Sequence, residues 1–145
     1  MCLNIKHLMN NFDLMRELAS KKAGSRKHHD NEEHGIQVDC ITWFRLQYPA
    51  MRHNLFAVPN GGRRSKKTAV DLKKEGVLAG VSDLILLKKN KHYGALLIEM
   101  KTSKGKQSDL QKEWQNEIEK DGYKYIVCRS LIDFMNAVKS YVADI

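Results

Sequence analysis

The spacing of apolar positions along the chain predicts a helix first. Leu8, Phe12, Met15 and Leu18 fall near a 3.6-residue period over residues 5 to about 20, as one apolar helix face requires. Residues 20–30 are basic and polar, carry a glycine and read as a linker. The leading helix is therefore expected to be an appendage that packs on a partner subunit, with residues 1–30 set apart from a domain over 31–145. Asp30 opens a second helix as a good N-cap, and Glu33 three residues later completes a capping-box pattern. Ile36, Cys40, Trp43, Phe44 and Gln47 make its buried stripe, and Pro49 follows its end.

Beyond that proline the period changes. His53 to Val58 reads as a strand, ended by Pro59-Asn60-Gly61-Gly62. Lys67 to Glu75 is a short helix, with Ala69, Val70 and Leu72 available for packing and Gly76 as its stop. Ser82 to Leu87 and Tyr93 to Lys101 are strands joined by the polar turn Lys88 to His92, so they form a hairpin. Ser108 opens a helix with Leu110, Trp114 and Ile118 on its inner face and Gly122 past its end. Tyr123 to Cys128 is a further strand, and Ser130 caps a last helix carrying Leu131, Phe134, Val138 and Tyr141. Helix, strand, short helix, hairpin, helix, strand, helix is the order of an α/β domain: a mixed central sheet flanked by helices.

Composition narrows the class. The chain has 145 residues, enough for one domain that buries roughly two-thirds of its unfolded surface. The longest apolar runs, Leu84 to Leu87 and Ala95 to Ile98, are too short to span a bilayer, so no membrane association is expected. Polar Asn10, Asn11 and Asp13 interrupt the N-terminus where a signal peptide needs an apolar run. Cys2, Cys40 and Cys128 fit neither a disulfide framework nor a zinc site, which implies a reducing, cytoplasmic compartment. The histidines, His34 and His53 among them, show no ligand spacing. The formal net charge of +8 points to a polyanionic partner, of which nucleic acid is the commonest. The positive residues cluster: Arg63, Arg64, Lys66 and Lys67 follow Gly61 and Gly62, Lys101, Lys104 and Lys106 surround Gly105, and Lys21, Lys22, Arg26 and Lys27 precede residue 30. The loop from Asn60 to Lys67 can wrap phosphates, since glycines admit close backbone approach and arginines supply charge; solvated surface patches are the plainer alternative. Trp114 and Tyr123 are assigned to core packing and not to base stacking.

The hairpin carries the chemistry. Side chains alternate faces along a strand, so Glu99 and Lys101 share one face with Leu97 and Ala95, while Met100 shares the other with Leu96 and Ile98. A strand apolar on both faces is central, and charges at its end are costly unless compensated. In an antiparallel hairpin turning near Asn90, Asp83 comes close to facing Glu99. Two carboxylates on strands about 5 Å apart repel unless a cation lies between them, and hard oxygen ligands suit Mg²⁺ or Mn²⁺. A purely structural Asp83–Lys101 or Glu99–Lys101 ion pair is the alternative.

Asp83 followed by Glu99-Met100-Lys101 resembles the core of the PD-(D/E)xK nuclease superfamily, with Ser82 where the superfamily's name has proline. More narrowly, residues 32 to 130 resemble the virus-type replication–repair nuclease (VRR-NUC) domain. The resemblance runs through Glu33, Gln37, Val58-Pro59-Asn60-Gly61-Gly62, Gly76, Gly80-Val81-Ser82-Asp83-Leu84, Ile98 to Thr102, Gly105, Ser108, Gln111, Trp114 and Gly122. It implies a restriction-endonuclease-like fold and a metal-dependent endodeoxyribonuclease that leaves a 5′-phosphate. By that resemblance Asp83 and Glu99 bind Mg²⁺ or Mn²⁺ with the Met100 carbonyl. Lys101 orients or deprotonates the attacking water and stabilises charge on the phosphate. Glu33 is an outer acidic residue, bound to metal directly or through water, and Gln111 lies near the active centre; a capping box is the alternative for each. Asn60, Gly61, Gly62, Arg63, Arg64, Lys66, Lys67, Lys104 and Lys106 are the expected DNA contacts. The expected substrate is branched DNA, a Holliday junction first and a flap or fork second, cut by a homodimer without an organic cofactor, bacterial or phage-encoded. A non-catalytic DNA-binding protein is the reading from another class.

Overall fold

The computed structural model describes residues 29–59 and 66–145. The leading helix over residues 5–20, the basic stretch Lys21 to Lys27 and the loop Asn60 to Arg64 lie outside the described residues. The elements in chain order are α1 (His29–Gln47), a 3-10 turn (Pro49–Met51), β1 (Leu55–Ala57), α2 (Lys66–Lys74), β2 (Leu84–Leu86), β3 (Leu96–Met100), α3 (Asp109–Lys120), β4 (Lys124–Cys128) and α4 (Leu131–Val142). The strands form one mixed sheet in the order β1-β2-β3-β4. β1 and β3 both pair antiparallel to β2, and β4 pairs parallel to β3. This is the expected mixed sheet flanked by helices.

Each sheet face has its own apolar layer. Leu84, Leu86, Leu96, Ile98 and Met100 face α1 and α4, where they bury Cys40, Trp43, Phe44, Phe134 and Val138. The Trp43 and Phe134 rings meet edge-on at 6.0 Å and join the two helices. The opposite face, Ala95, Leu97 and Tyr125, packs under Trp114 and Ile118 of α3. All five residues of β3 are buried, as expected of a strand apolar on both sides. Burial pushes the Cys128 thiol up to about 12 and raises that of Cys40 as well, so both are core residues and poor metal ligands.

Several local expectations change. Asp30 lies within α1 and is not its N-cap, and the Glu33 carboxylate accepts a hydrogen bond from the Thr102 N–H at 3.1 Å. Val70 is exposed on α2. Leu110 is exposed too, because the first turn of α3 meets the rest of the chain through its backbone. A β-carbon on Gly80 would come 2.6 Å from the Leu110 carbonyl oxygen, and Gly80 has φ +92°, so close approach and a left-handed conformation both require glycine there. Tyr123 is exposed, not core. β3 begins at Leu96 and not at Tyr93. The Tyr93 carbonyl accepts from Asn90 N–H and the Tyr141 hydroxyl, and Gly94 N–H donates to Gly122, so neither enters the ladder. Ser130 caps α4 as expected, its hydroxyl accepting from Asp133 N–H at 3.1 Å.

Candidate active site

The hairpin register places the two carboxylates. Leu84 is paired with Ile98 and Ile85 with Leu97; one residue further, Asp83 stands opposite Glu99. By alternation both belong to the face of Ile85 and Leu97, under α3. The Asp83 backbone is held by Val58, whose N–H donates to its carbonyl at 2.9 Å. Its Oδ2 accepts from the Met100 N–H at 2.7 Å, across the strand pair. Because β4 runs parallel to β3, both strands end at the same edge of the sheet, where α3 and α4 begin.

Glu99 is fully buried, and both its oxygens are engaged. Oε1 accepts from Lys101 Nζ at 2.6 Å and from Gln111 Nε2. Oε2 accepts from the Tyr125 hydroxyl at 3.3 Å. Gln111 reaches Glu99 with one end of its amide and caps α3 with the other: its Oε1 accepts from Ser108 N–H at 2.8 Å, while its own N–H donates to Ser108 Oγ. The capping box and a hydrogen bond to the candidate carboxylate Glu99 are therefore both present. Glu33, from the first turns of α1, approaches through Thr102 and raises the carboxyl pKa of Asp83 by its charge.

Burial is the main reason that the Glu99 carboxyl is pushed up to about 7; the Lys101 ammonium opposes the shift and the neighbouring Asp83 charge adds to it. Asp83 is raised too, first by burial and against the Met100 N–H and Lys101. In the metal-free protein Glu99 thus keeps its proton to higher pH than in the unfolded chain. The stability this contributes is complete below the unfolded value, 4.5, and is lost as pH rises through about 7. The loss is on the order of 3 kcal/mol. Urea unfolding of the metal-free chain at pH 4.5 and pH 8 is expected to show it, and Glu99→Gln is expected to abolish that part of the pH dependence. An unchanged pH dependence in the variant would contradict the assignment.

Among the described residues no three His, Cys, Asp or Glu side chains form a ready-made metal cage; Lys101 stands beside the carboxylates as their counterion. The donor set nevertheless fits a hard divalent cation. Asp83 and Glu99 share one face, burial disfavours the charge of each, and the Glu99 carboxyl is raised further by Asp83; a dication between them would relieve both the burial and the repulsion.

The structure brings together Asp83, Glu99, Lys101, Glu33 and Gln111. Lys104 and Lys106 are exposed on the loop after β3. Asn60, Gly61, Gly62, Arg63 and Arg64 lie outside the described residues, as do the side chains of Lys66 and Lys67. Sequence reasoning missed Tyr125 and Arg129 and gave no role to Thr102. Tyr125 pairs with Leu97 in the β3–β4 register, which puts it on the Glu99 face; the strand alternation carries that signal only once the pairing is known. Arg129 Nη1 donates to the carbonyls of Thr102 at 2.7 Å and Gly105 at 2.6 Å.

The VRR-NUC domain family model matches residues 31–131 of the chain. Among solved structures, one described as a VRR_NUC domain protein superposes with a TM-score of 0.70, at 22% sequence identity, over 83% of this chain and 93% of its own; that likeness is one of fold. No curated protein sequence matches the chain.

Proposed function

The chain belongs to the VRR-NUC domain family, a family of nucleases, and on that premise we propose that it is a divalent-metal-dependent endonuclease that hydrolyses phosphodiester bonds in branched DNA. The observation that carries the reading is the convergence of Asp83, Glu99 and Lys101 at one end of the buried hairpin. Asp83 and Glu99 would hold Mg²⁺ or Mn²⁺, with the Met100 carbonyl, and with Glu33 directly or through water. Such an ion, when bound, polarises the scissile phosphate and lowers the pKa of an attacking water. Lys101, on a strand end and 14% exposed, donates hydrogen bonds to the water or to the phosphate oxygen on which charge develops. Gln111 and Tyr125 hold the Glu99 carboxylate in place, and the product keeps a 5′-phosphate.

The net charge of +8 supports a DNA substrate. Lys104 and Lys106, exposed beside the site, are assigned to phosphates together with the Asn60 to Lys67 loop. Neutralising both lysines is expected to weaken binding to every DNA alike and to lower the salt slope by roughly one unit per lost contact. Fluorescence anisotropy at several salt concentrations measures this; a loss confined to one sequence would indicate base readout instead.

A symmetric homodimer suits a four-way junction, whose two-fold axis lets two active sites cut two strands. Labelled junction, flap, fork and linear duplexes incubated with Mg²⁺ or Mn²⁺ test the substrate class. Preferred paired cutting of the junction supports the Holliday-junction reading, preferred cutting of the flap or fork replaces it by the alternative, and equal cutting of linear duplex overturns structure specificity. Light scattering of the same preparation tests the dimer, and a monomer that resolves junctions fully would refute it.

A further inference from the structure

The turn that follows β3 touches two members of the site. Thr102 is buried and aims its N–H at Glu33 Oε1, 3.1 Å away. Gly105 closes the turn by donating to the Thr102 carbonyl at 3.1 Å. A β-carbon on Gly105 would lie 3.1 Å from Thr102 Oγ1 and 3.3 Å from Lys101 Cδ, so the turn backs directly against the Lys101 stem. A single guanidinium nitrogen fastens both ends: Arg129 Nη1 bonds the Thr102 and Gly105 carbonyls at 2.7 and 2.6 Å. Donors carrying charge make the stronger hydrogen bonds. Arg129 is itself anchored where β4 gives way to α4, since its N–H donates to Asp133 Oδ2 at 2.9 Å.

We infer that Arg129 is a positioning residue of the active centre: it clamps the Thr102–Gly105 turn, and through that turn it sets Glu33 and the stem of Lys101. The inference rests on the proposed nuclease reading. Arg129 need not touch DNA or metal in this role. A lysine replaces it poorly, because delocalisation holds the two N–H bonds of Nη1 in the guanidinium plane, whereas an ammonium rotates on a flexible stem and is more strongly hydrated. Outer partners of this kind typically contribute about 10–100-fold to activity or metal affinity.

The test uses the full chain with Arg129→Ala, Arg129→Lys and Gly105→Ala, the last disturbing the same turn without removing charge. Expected are a kcat lower by about 10–100-fold on the preferred DNA with Mn²⁺, a KM within about twofold, a melting temperature that stays well above the assay temperature and weaker Mn²⁺ binding by calorimetry. The Thr102 and Gly105 amides should exchange faster in Arg129→Ala, and added guanidinium ion should restore part of its kcat. Arg129→Lys should resemble the alanine variant. Wild-type-like kcat in Arg129→Ala would overturn the inference, and so would a loss carried wholly by KM, which means direct DNA contact. A loss that follows a fallen melting temperature and resists guanidinium would overturn it as well, since that is a general structural role. If the unaltered chain cuts no DNA, the nuclease reading fails, and amide exchange with Mn²⁺ affinity decides the clamp alone: unchanged values in Arg129→Ala refute it.

Discussion

Replacing Lys101 by alanine is expected to lower the cleavage rate by about 10²–10³-fold, the usual cost of one preorganised group at developing charge. DNA affinity should barely change, because Lys101 is one of 25 lysines and arginines. The variant also removes the ammonium that lies 2.6 Å from the fully buried Glu99. Glu99 then relies on Gln111 and Tyr125 alone and takes up a proton more readily, since Lys101 is the largest influence opposing its raised pKa. A higher folded-state pKa means that the stability loss grows as pH rises through and above 7. Lys101→Ala should thus cut slowly at every pH and fold best below neutrality. Cleavage, gel shift and thermal melts at pH 6 and pH 8 separate these effects. A variant that cuts like the unaltered protein refutes the catalytic role; one that merely melts earlier, in a protein without nuclease activity, supports a structural ion pair.

Asp83→Asn is expected to abolish most of the Mn²⁺ affinity and with it the cleavage. The loss should be at least the 10–100-fold or so that even outer partners of a metal ligand command. Fold should survive, because the asparagine oxygen can still accept the Met100 N–H that Asp83 now takes at 2.7 Å. The Glu99 carboxyl should titrate lower in the variant, since the Asp83 charge helps to raise it. In the presence of chelator, DNA binding should persist, for a negative charge is removed and no phosphate contact is lost. Calorimetry with Mn²⁺ on metal-free protein measures the first effect, and undiminished binding would remove Asp83 from the site.

The sheet and the hairpin were legible because both follow from a period of two. Alternation alone puts Glu99 and Lys101 on one face of β3, and a turn near Asn90 puts Asp83 opposite Glu99. Gln111 was not decidable from spacing, since the two ends of one amide serve the cap and the carboxylate at once. Asp30 and Glu33 match a capping box by spacing, yet the Thr102 N–H, 69 residues away in sequence, offers Glu33 another partner. Leu110 fits the apolar period of α3 but falls in the turn that meets Gly80 through its backbone. Tyr125 and Arg129 were hidden for a different reason. Their partners are set by the parallel pairing of β3 with β4 and by the turn beyond it, long-range geometry that no local pattern encodes.

The central claim is that carboxylates and lysine at the end of this hairpin form a metal-dependent hydrolytic centre. The most direct measurement follows one purified preparation on labelled branched DNA with Mn²⁺, after EDTA, and after Mn²⁺ is restored in excess. Cutting that stops with EDTA, returns with Mn²⁺ and is missing from Asp83→Asn prepared in parallel is the predicted result. Intact DNA throughout, or cutting that ignores EDTA and survives in the variant, would contradict the account.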